Sequence, residues 1–344
     1  MKRICLTLIL TLLSCIGIIA NVRVLSVGIS EYPESSGWNK INAHNDVELI
    51  KSLFPNAILV ENELATRLGI ERQLKSLTNT VVKGDTVIIH FSGHGQQILT
   101  QTSAKEADGV DEAIVPFDAG KRKTASYNGD NHLTDDVFGN AVDGLRRAVG
   151  NGGLVIAVID ACHSDSMDKD ADDSKEIYRG TDEIFGSETM SYEQISSLRE
   201  AYHKQDVSQL ATSSDMSDVI YLSACRSDQR NYEVSADGNG YGSLTYYFCE
   251  AYKENGISDL PKFLSALYSG MENDKTLQFH GQLPAIRNTI GWEAPAKTIP
   301  PAPNLGDDSE NDDTSFNPNM VWGIFGLAFI VIFIALWIVR KKKK

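Results

Sequence analysis

Short runs of apolar and β-branched residues alternate along the chain with segments that carry apolar positions at helical spacing. Continuous apolar runs are typical of strands buried on both faces. The predicted strands are residues 22–29, 86–91, 112–117, 153–159, 219–224 and 284–287. The predicted helices are residues 42–53, 135–149, 190–204, 244–252 and 260–271. This alternation predicts one α/β domain over residues 21–293, with a mainly parallel central sheet and helices on both faces.

The first twenty residues have the pattern of a secretory signal peptide. Lys2 and Arg3 precede an uncharged apolar run that ends at Ala20. A basic start followed by a short apolar core is typical of a cleaved signal over residues 1–20. The sequence before Cys15 also resembles a bacterial lipobox, so acylation at Cys15 is the alternative.

The other end of the chain predicts a membrane anchor. Residues 320–340 contain an apolar stretch long enough to cross a bilayer, and the basic tail 341–344 follows directly. Basic clusters stay on the cytoplasmic side, so the domain is expected outside the cytoplasm as part of a single-pass membrane protein. Residues 294–319 are rich in Pro, Asp and Asn, a composition that predicts a flexible linker.

Charge narrows the range of partners. The chain has 46 acidic and 32 basic residues. Seven of the basic residues lie in the two apolar ends, which leaves the part between them with a net charge of −21. Such a surface excludes nucleic acid as a partner and favours basic substrates.

Two of the predicted strands end in residues that carry chemistry. His94 follows the strand at residues 86–91, and Cys162 follows the strand at residues 153–159. Because neighbouring parallel strands end at the same edge of a sheet, we expect the two side chains to lie side by side. An imidazole can take the proton of a thiol and create a nucleophile, and backbone N–H groups near Gly95 and Cys162 are the expected oxyanion donors.

The two turns resemble those of the caspase-like cysteine peptidases, and among these the metacaspases. The motifs are Ser-Gly-His-Gly at residues 92–95 and Asp-Ala-Cys-His-Ser at residues 160–164. The resemblance covers roughly residues 22–290. It implies a three-layer caspase-like sandwich and a Cys162–His94 dyad that needs no cofactor for its chemistry.

The resemblance also implies an acidic substrate pocket. Metacaspase pockets that accept Arg or Lys correspond here to Asp46, Ser92 and Asp160. The segment that begins at Cys225 resembles a border of the same pocket and adds Asp228. An unpaired buried cation is costly, so a pocket that accepts a basic residue needs such carboxylates. The alternative for Asp46 is a carboxylate that caps or decorates its helix.

The long acidic segment at residues 165–217 separates the nucleophile from the next strand. In the caspase-like fold, the chain is cut in this segment on activation, which makes Lys169, Lys175 and Arg179 candidate self-cleavage sites. An ordinary surface insertion is the alternative, since basic residues are common in exposed loops.

Some metacaspases are activated by calcium, which prefers oxygen ligands. The candidate ligands are Asp108, Asp135 and Asp136. The alternative places Asp135 and Asp136 in the first turn of a helix capped by Thr134, where negative charge is favourable.

The remaining cysteines and histidines are given simpler roles. Cys225 and Cys249 are candidates for a disulfide with each other, and a Cys162–Cys225 disulfide would silence the enzyme. Adjacent residues at a strand end are expected to point to opposite sides, so His163 is badly placed to reach the thiol and His94 is preferred as the base. The surface or loop histidines are His44, His132 and His280.

Together these features predict a membrane-tethered, extracytoplasmic cysteine endopeptidase that cleaves protein or peptide substrates after Arg or Lys. Two alternatives stay open. One is a catalytically silent caspase-like scaffold or binding module. The other is a peptidase of the same fold that is specific for Asp.

Overall fold

A mainly parallel sheet of six strands forms the centre of the computed structural model of the chain. The structure describes residues 21–99, 109–162, 177–203, 210–226 and 229–295. The order of strands across the sheet is β11-β8-β7-β3-β1-β2, and β11 alone is antiparallel to its neighbour. These strands are β1 Val22–Gly28, β2 Ile58–Glu61, β3 Thr86–Ser92, β7 Leu154–Asp160, β8 Asp218–Ser223 and β11 Ala285–Asn288.

Two smaller sheets lie beside the central one. Strands β4 Gly95–Leu99, β5 Val110–Ile114 and β6 Leu133–Thr134 form an antiparallel sheet directly after β3. Strands β9 Glu233–Ala236 and β10 Asn239–Gly242 form a hairpin between β8 and the helix that follows.

Helices cover both faces of the central sheet. They are α1 Ala43–Leu53, α2 Arg67–Thr80, α3 Asp135–Val149, α4 Tyr192–His203, α5 Ser243–Asn255, α6 Leu260–Asn273 and α7 Lys275–Phe279. Helices α2 and α3 pack on one face, and α1, α5 and α6 pack on the other. The three-layer α/β sandwich with a mainly parallel sheet is therefore confirmed.

The alternation of side chains along β3 shows how the sheet divides the core. Val87 and Ile89 pack against the α2–α3 layer, whereas Ile88 packs against the α1–α5–α6 layer. Successive residues of a strand point to opposite faces, so an uninterrupted apolar run suits a strand covered on both sides. His90 follows this alternation and faces the layer that contains α5, where it contacts Thr245.

Most predicted elements are present, with ends shifted by a few residues, but several were missed. Helix α2 was not predicted, because its buried stripe contains only Ile70, Leu74 and Leu77 within a polar segment. Its start does carry a local signal, since the Thr66 side chain accepts a hydrogen bond from the N–H of Gly69. The predicted strand at 112–117 ends earlier, at Ile114.

Both predicted membrane-related ends lie outside the described residues. These are the signal at 1–20, the anchor at 320–340, its basic tail at 341–344 and all but the first two residues of the linker at 294–319. Within the part of the chain that the structure describes, no helix is both long and apolar enough to span a bilayer.

Candidate active site

The carboxyl ends of β3 and β7 bring the two predicted reactive residues to the same edge of the sheet. Ser92 and Asp160 are paired in the parallel ladder, and the N–H of Gly93 donates to the Asp160 carbonyl at 3.3 Å. His94 and Cys162 each lie two residues beyond this pair. Both side chains are buried, at 2% and 1% exposure.

His94 is held in one orientation by its neighbours. Its Nε2 lies 2.8 Å from the carbonyl oxygen of Asn39, and its ring stacks on Trp38 with centroids 4.8 Å apart. A carbonyl oxygen only accepts, so Nε2 carries the proton. Nδ1 is buried and has no hydrogen-bond partner among the described residues. Nδ1 therefore presents its lone pair, the feature that a general base requires.

The protonation state of His94 fits the same role. Burial lowers its pKa to about 4, although the hydrogen bond to Asn39 acts in the opposite direction. The imidazole is thus neutral near pH 7 and able to accept a proton.

Gln229 and Cys225 both contact the sulfur of Cys162. Its Sγ lies 3.1 Å from the carbonyl oxygen of Gln229 and 3.6 Å from the Sγ of Cys225, which donates to it. The hydrogen bond to Cys162, together with burial, raises the pKa of Cys225 well above its ordinary value. Cys225 therefore keeps its proton and can stabilise negative charge on Cys162.

The three described cysteines are thiols, so Cys225 and Cys249, which the sequence left as candidates for a disulfide, are not joined. Cys225 lies beside Cys162, whereas Cys249 is buried within α5. Cys162 and Cys225, the other pair considered for a disulfide, are adjacent thiols that are not bonded to each other.

A segment of the chain itself lies against the nucleophile. The N–H of Cys162 donates a 2.8 Å hydrogen bond to the carbonyl oxygen of Arg179. Gly180 is packed so closely that a Cβ on it would lie 2.5 Å from the Cys162 carbonyl oxygen. Gly95, the other predicted oxyanion donor, begins β4 opposite Ile114.

The guanidinium of Arg179 fills a pocket lined by Asp46, Ser92 and Asp160. These are the predicted pocket residues that lie in the described part of the chain. Its Nη1 lies 2.7 Å from Asp46 Oδ2, 2.6 Å from Ser92 Oγ and 3.8 Å from Asp160 Oδ1. Its Nη2 donates to Glu233 Oε1 at 2.9 Å. Arg179 is fully buried, as are the two aspartates and the serine.

The charges of this pocket favour a cation strongly. Burial by itself would lower the pKa of Arg179, but the carboxylates of Asp46, Asp160 and Glu233 raise it above its ordinary value. Burial raises the pKa of Asp46 to about 6 against the opposing charge of Arg179, so this carboxylate is still ionised at neutral pH. One buried cation thus faces three carboxylates. A neutral or acidic side chain in its place would leave their negative charge unbalanced.

Backbone and hydroxyl donors fix the pocket walls. Asp46 accepts from the N–H of Gly242 at 2.9 Å and from the Ser92 hydroxyl at 2.7 Å. A Cβ at Gly242 would lie 2.2 Å from Asp160 Oδ2, so only glycine fits beside that carboxylate. Asp46 is therefore a pocket wall rather than a surface or capping carboxylate of its helix.

Sequence reasoning missed Glu233 and the place of Arg179 in the pocket. Glu233 lies at the start of the β9–β10 hairpin, where an isolated Glu resembles any surface carboxylate. Arg179 was predicted only as a cleavage candidate. Their proximity depends on Arg179 lying beside the β9–β10 hairpin, and no local motif records that.

Four predicted site residues lie outside the described residues: Asp108, Lys169, Lys175 and Asp228. Asp135 and Asp136 are in the first turn of α3, as the alternative proposed, although the side chain of Thr134 makes no capping hydrogen bond. Both aspartates border a cavity of about 340 Å³ that Asp143 and Arg146 also line. Among the described residues, no group of three or more His, Cys, Asp or Glu side chains is placed to hold a metal ion.

The other histidines of the sequence analysis lie away from the thiol or outside the described residues. His44 is half exposed and lies 2.7 Å from Glu61, as expected for a surface residue. His132 is a loop residue, as expected, but it is buried at 1% and lies 2.9 Å from Gln96 Oε1. His280 stacks on Tyr232. His163 lies outside the described residues.

A thiol and an imidazole beyond the ends of adjacent parallel strands, next to a cation pocket, form the candidate active site of an α/β sandwich protein. Comparison with known proteins gives the family. Residues 22–290 match the model of the caspase domain, so the chain belongs to the caspase-domain family of cysteine peptidases.

Curated relatives agree with this assignment. Metacaspase-1B of Aspergillus clavatus is 25% identical over 236 residues, 61% of this chain and 53% of that protein. Metacaspase-1 of Meyerozyma guilliermondii is 26% identical over 241 residues, 63% of this chain and 53% of that protein. Metacaspase-4 of Arabidopsis thaliana is 32% identical over 111 residues, 32% of this chain and 22% of that protein.

The chain spans about half the length of the two fungal relatives. A solved protein of Geobacter sulfurreducens shares the fold, with a TM-score of 0.51 and 22% identity over 78% of this chain and 93% of that one.

Proposed function

We propose that this protein is a cysteine endopeptidase that cleaves after arginine, and less efficiently after lysine. The observation that carries the proposal is the position of Arg179. Its side chain fills the acidic pocket, and its carbonyl oxygen accepts from the N–H of Cys162. These are the two contacts that a bound substrate residue needs on the acyl side of the cleaved bond.

The chemistry proceeds through a thioester. Nδ1 of His94 takes the proton of Cys162, and the sulfur attacks the carbonyl carbon of the bound arginine. The N–H of Cys162 stabilises the oxyanion that forms, since it already contacts the carbonyl oxygen in this position. The protonated His94 then donates its proton to the leaving amine. Water, deprotonated by the same imidazole, releases the acyl product.

The pocket supports a preference for arginine over lysine. Asp46 and Ser92 contact Nη1, whereas Glu233 contacts Nη2. A lysine has a single terminal nitrogen and cannot reach both groups at once. An aspartate would place a fourth carboxylate among three, so the Asp-specific alternative is disfavoured.

The same geometry supports self-processing at the bond between Arg179 and Gly180. Of the three predicted cleavage sites, Arg179 is the one that the structure describes. Gly180, on the leaving side of that bond, packs directly against Cys162. Before cleavage the chain's own arginine occupies the pocket, so the uncut chain excludes external substrates from it.

We also propose that the enzyme is tethered to a membrane with its catalytic domain outside the cytoplasm. This part rests on the sequence: the signal-like residues 1–20, the apolar residues 320–340 and the basic residues that follow them. Activation by calcium remains a prediction from the family resemblance, and no step above depends on it.

A panel of fluorogenic peptides that differ only at the cleaved residue tests the activity. The full chain in detergent is incubated with Arg, Lys, Asp and Ala peptides, with and without calcium, and its own fragments are identified by mass spectrometry. Arg peptides should be cleaved fastest, and one fragment should end at Arg179. Cys162→Ala should lose both activities, whereas the buried control Cys249→Ala should keep them.

The results separate the alternatives. Preference for the Asp peptide would establish the Asp-specific alternative. No cleavage, together with no labelling of Cys162 by an electrophilic arginine peptide, would establish the silent scaffold.

A further inference from the structure

A chain of buried polar groups that plays no part in the chemistry above leads from β1 to the pocket. Ser26 Oγ lies 2.8 Å from His90 Nδ1, and His90 Nε2 lies 2.9 Å from Thr245 Oγ1. The Thr245 hydroxyl donates to Asp160 Oδ2 at 2.7 Å. All four residues are fully buried. This series of hydrogen bonds thus links β1, β3 and α5 to the carboxylate of Asp160, which borders the guanidinium of Arg179.

The Asp160 carboxylate sets the direction of every hydrogen bond in this series of polar groups. The ionised carboxylate of Asp160 only accepts, so the single proton of the Thr245 hydroxyl points towards it. The oxygen of Thr245 must then accept from Nε2–H of His90. Nδ1 is consequently the unprotonated nitrogen and accepts from the Ser26 hydroxyl. Burial lowers the pKa of His90 to about 4, which agrees with this neutral form.

The two oxygens of Asp160 consequently have different surroundings. Oδ2 accepts from both the backbone N–H and the hydroxyl of Thr245, each at 2.7 Å. Oδ1 accepts from the side chain of Asn231 at 2.8 Å and lies 3.8 Å from Arg179 Nη1. Thr245, at the start of α5, thus holds Oδ2 through two hydrogen bonds. The other oxygen, Oδ1, faces the guanidinium of Arg179.

We infer that Thr245 and His90 are positioning residues, which orient the Asp160 carboxylate towards the pocket and thereby set the affinity for a basic side chain. This inference rests on the proposed function. An apolar residue at position 90 would fit a core strand at least as well as a buried histidine. The histidine is useful there because its Nε2–H donates a hydrogen bond to the oxygen of Thr245. The hydroxyl proton of Thr245 is then directed at the Asp160 carboxylate.

The effect should appear in substrate binding rather than in the chemical step. Thr245 touches neither the sulfur of Cys162 nor the imidazole of His94 in any described contact. Loss of a hydrogen bond to a charged group weakens its interactions by about tenfold. Removing the Thr245 hydroxyl should thus raise KM for an arginine peptide about tenfold and change kcat by less than about threefold.

The test compares Thr245→Val with Thr245→Ser in the full chain, using an arginine peptide after self-cleavage has reached completion. Valine keeps the shape of threonine and removes the hydroxyl, so KM should rise while kcat is kept. Serine restores the hydroxyl and should return KM to within about twofold of the wild-type value. The matched control is Thr78→Val, which removes a hydroxyl bonded to the Leu74 carbonyl on α2, and it should leave KM unchanged.

A second variant keeps the inference falsifiable if Thr245→Val does not fold. Ser26→Ala removes the first donor of the chain and should raise KM about two- to threefold without affecting kcat. An unchanged KM in both variants, or a serine variant that behaves like the valine variant, would overturn the inference. A wild-type chain without activity on arginine peptides would instead overturn the proposed function.

Discussion

The carbonyl oxygen of Arg179 accepts a 2.8 Å hydrogen bond from the backbone N–H of Cys162. This contact places the bond between Arg179 and Gly180 over the predicted nucleophile, while the arginine side chain reaches the acidic pocket. In the self-processing proposed above, this peptide bond is the one that is cleaved.

Replacing Arg179 by Ala should abolish cleavage at the Arg179–Gly180 bond, because the pocket then has no cation to bind at this position. Arg179→Lys should be cleaved at least about tenfold more slowly, since one nitrogen replaces two. Fragment masses from timed digests measure both effects. The control Arg122→Ala removes a surface ion pair with Glu183 and should leave the cleavage rate unchanged. Continued cleavage of the alanine variant at the same bond would contradict the assignment.

Glu233→Gln should reduce the discrimination between arginine and lysine substrates. Glu233 contacts Nη2 of the bound arginine, a group that lysine lacks. We expect kcat/KM for an arginine peptide to fall about tenfold and that for a lysine peptide by less than about threefold. The exposed Glu63→Gln variant is the control. Equal losses on both peptides would show that Glu233 acts on the pocket as a whole.

Stability should fall as the pH decreases from about 6.5 towards 4. Burial lowers the pKa of His90, His94 and His132 to about 4 each, so the unfolded chain binds more protons than the folded one in this range. Each histidine contributes up to about 3 kcal/mol that is complete above pH 6.5 and lost towards pH 4. Asp46 acts with the opposite sign, because its pKa is raised to about 6 and the folded state binds the extra proton.

Unfolding free energies measured by urea titration between pH 7.5 and 4.5 check this dependence. Three histidines outweigh one aspartate, so the net slope should be positive with pH. His132→Gln replaces the imidazole by an amide that does not titrate and can still donate to Gln96, so it should make the slope shallower. A curve that is flat across this range would contradict the neutral buried state of these side chains.

Peroxide should inactivate the enzyme reversibly through a bond between Cys162 and Cys225. Their sulfurs are 3.6 Å apart, and a disulfide requires about 2.05 Å, so a small movement suffices. Peroxide oxidises the first thiol to a sulfenic acid, and the second displaces water to form the disulfide. Dithiothreitol should restore activity to the wild type but not to Cys225→Ser, whose lone thiol oxidises further. Cys249→Ser should behave like the wild type, and recovery of Cys225→Ser would exclude the pairing.

Local sequence patterns predicted those parts of the fold and site that depend on neighbouring residues in the chain. The apolar runs before Ser92 and Asp160 predicted two adjacent buried strands, and the small and polar residues beyond them marked the reactive turns. The expected grouping of Asp46, Ser92 and Asp160 came from the family resemblance, and the structure brings these three side chains together. The polar helix α2 was missed because its apolar stripe is too narrow to stand out from its surroundings.

The sequence by itself determined the alternation of the main strands and helices and the positions of His94 and Cys162, because hydrophobic periodicity and turn chemistry act over a few residues. Only the tertiary structure decided that Glu233 completes the pocket, that Arg179 fills it, and that His90 connects to Asp160 through Thr245. These contacts join residues far apart in the chain. Their energies come from burying charge and hydrogen-bond donors together, and that pairing exists only once the layers have packed.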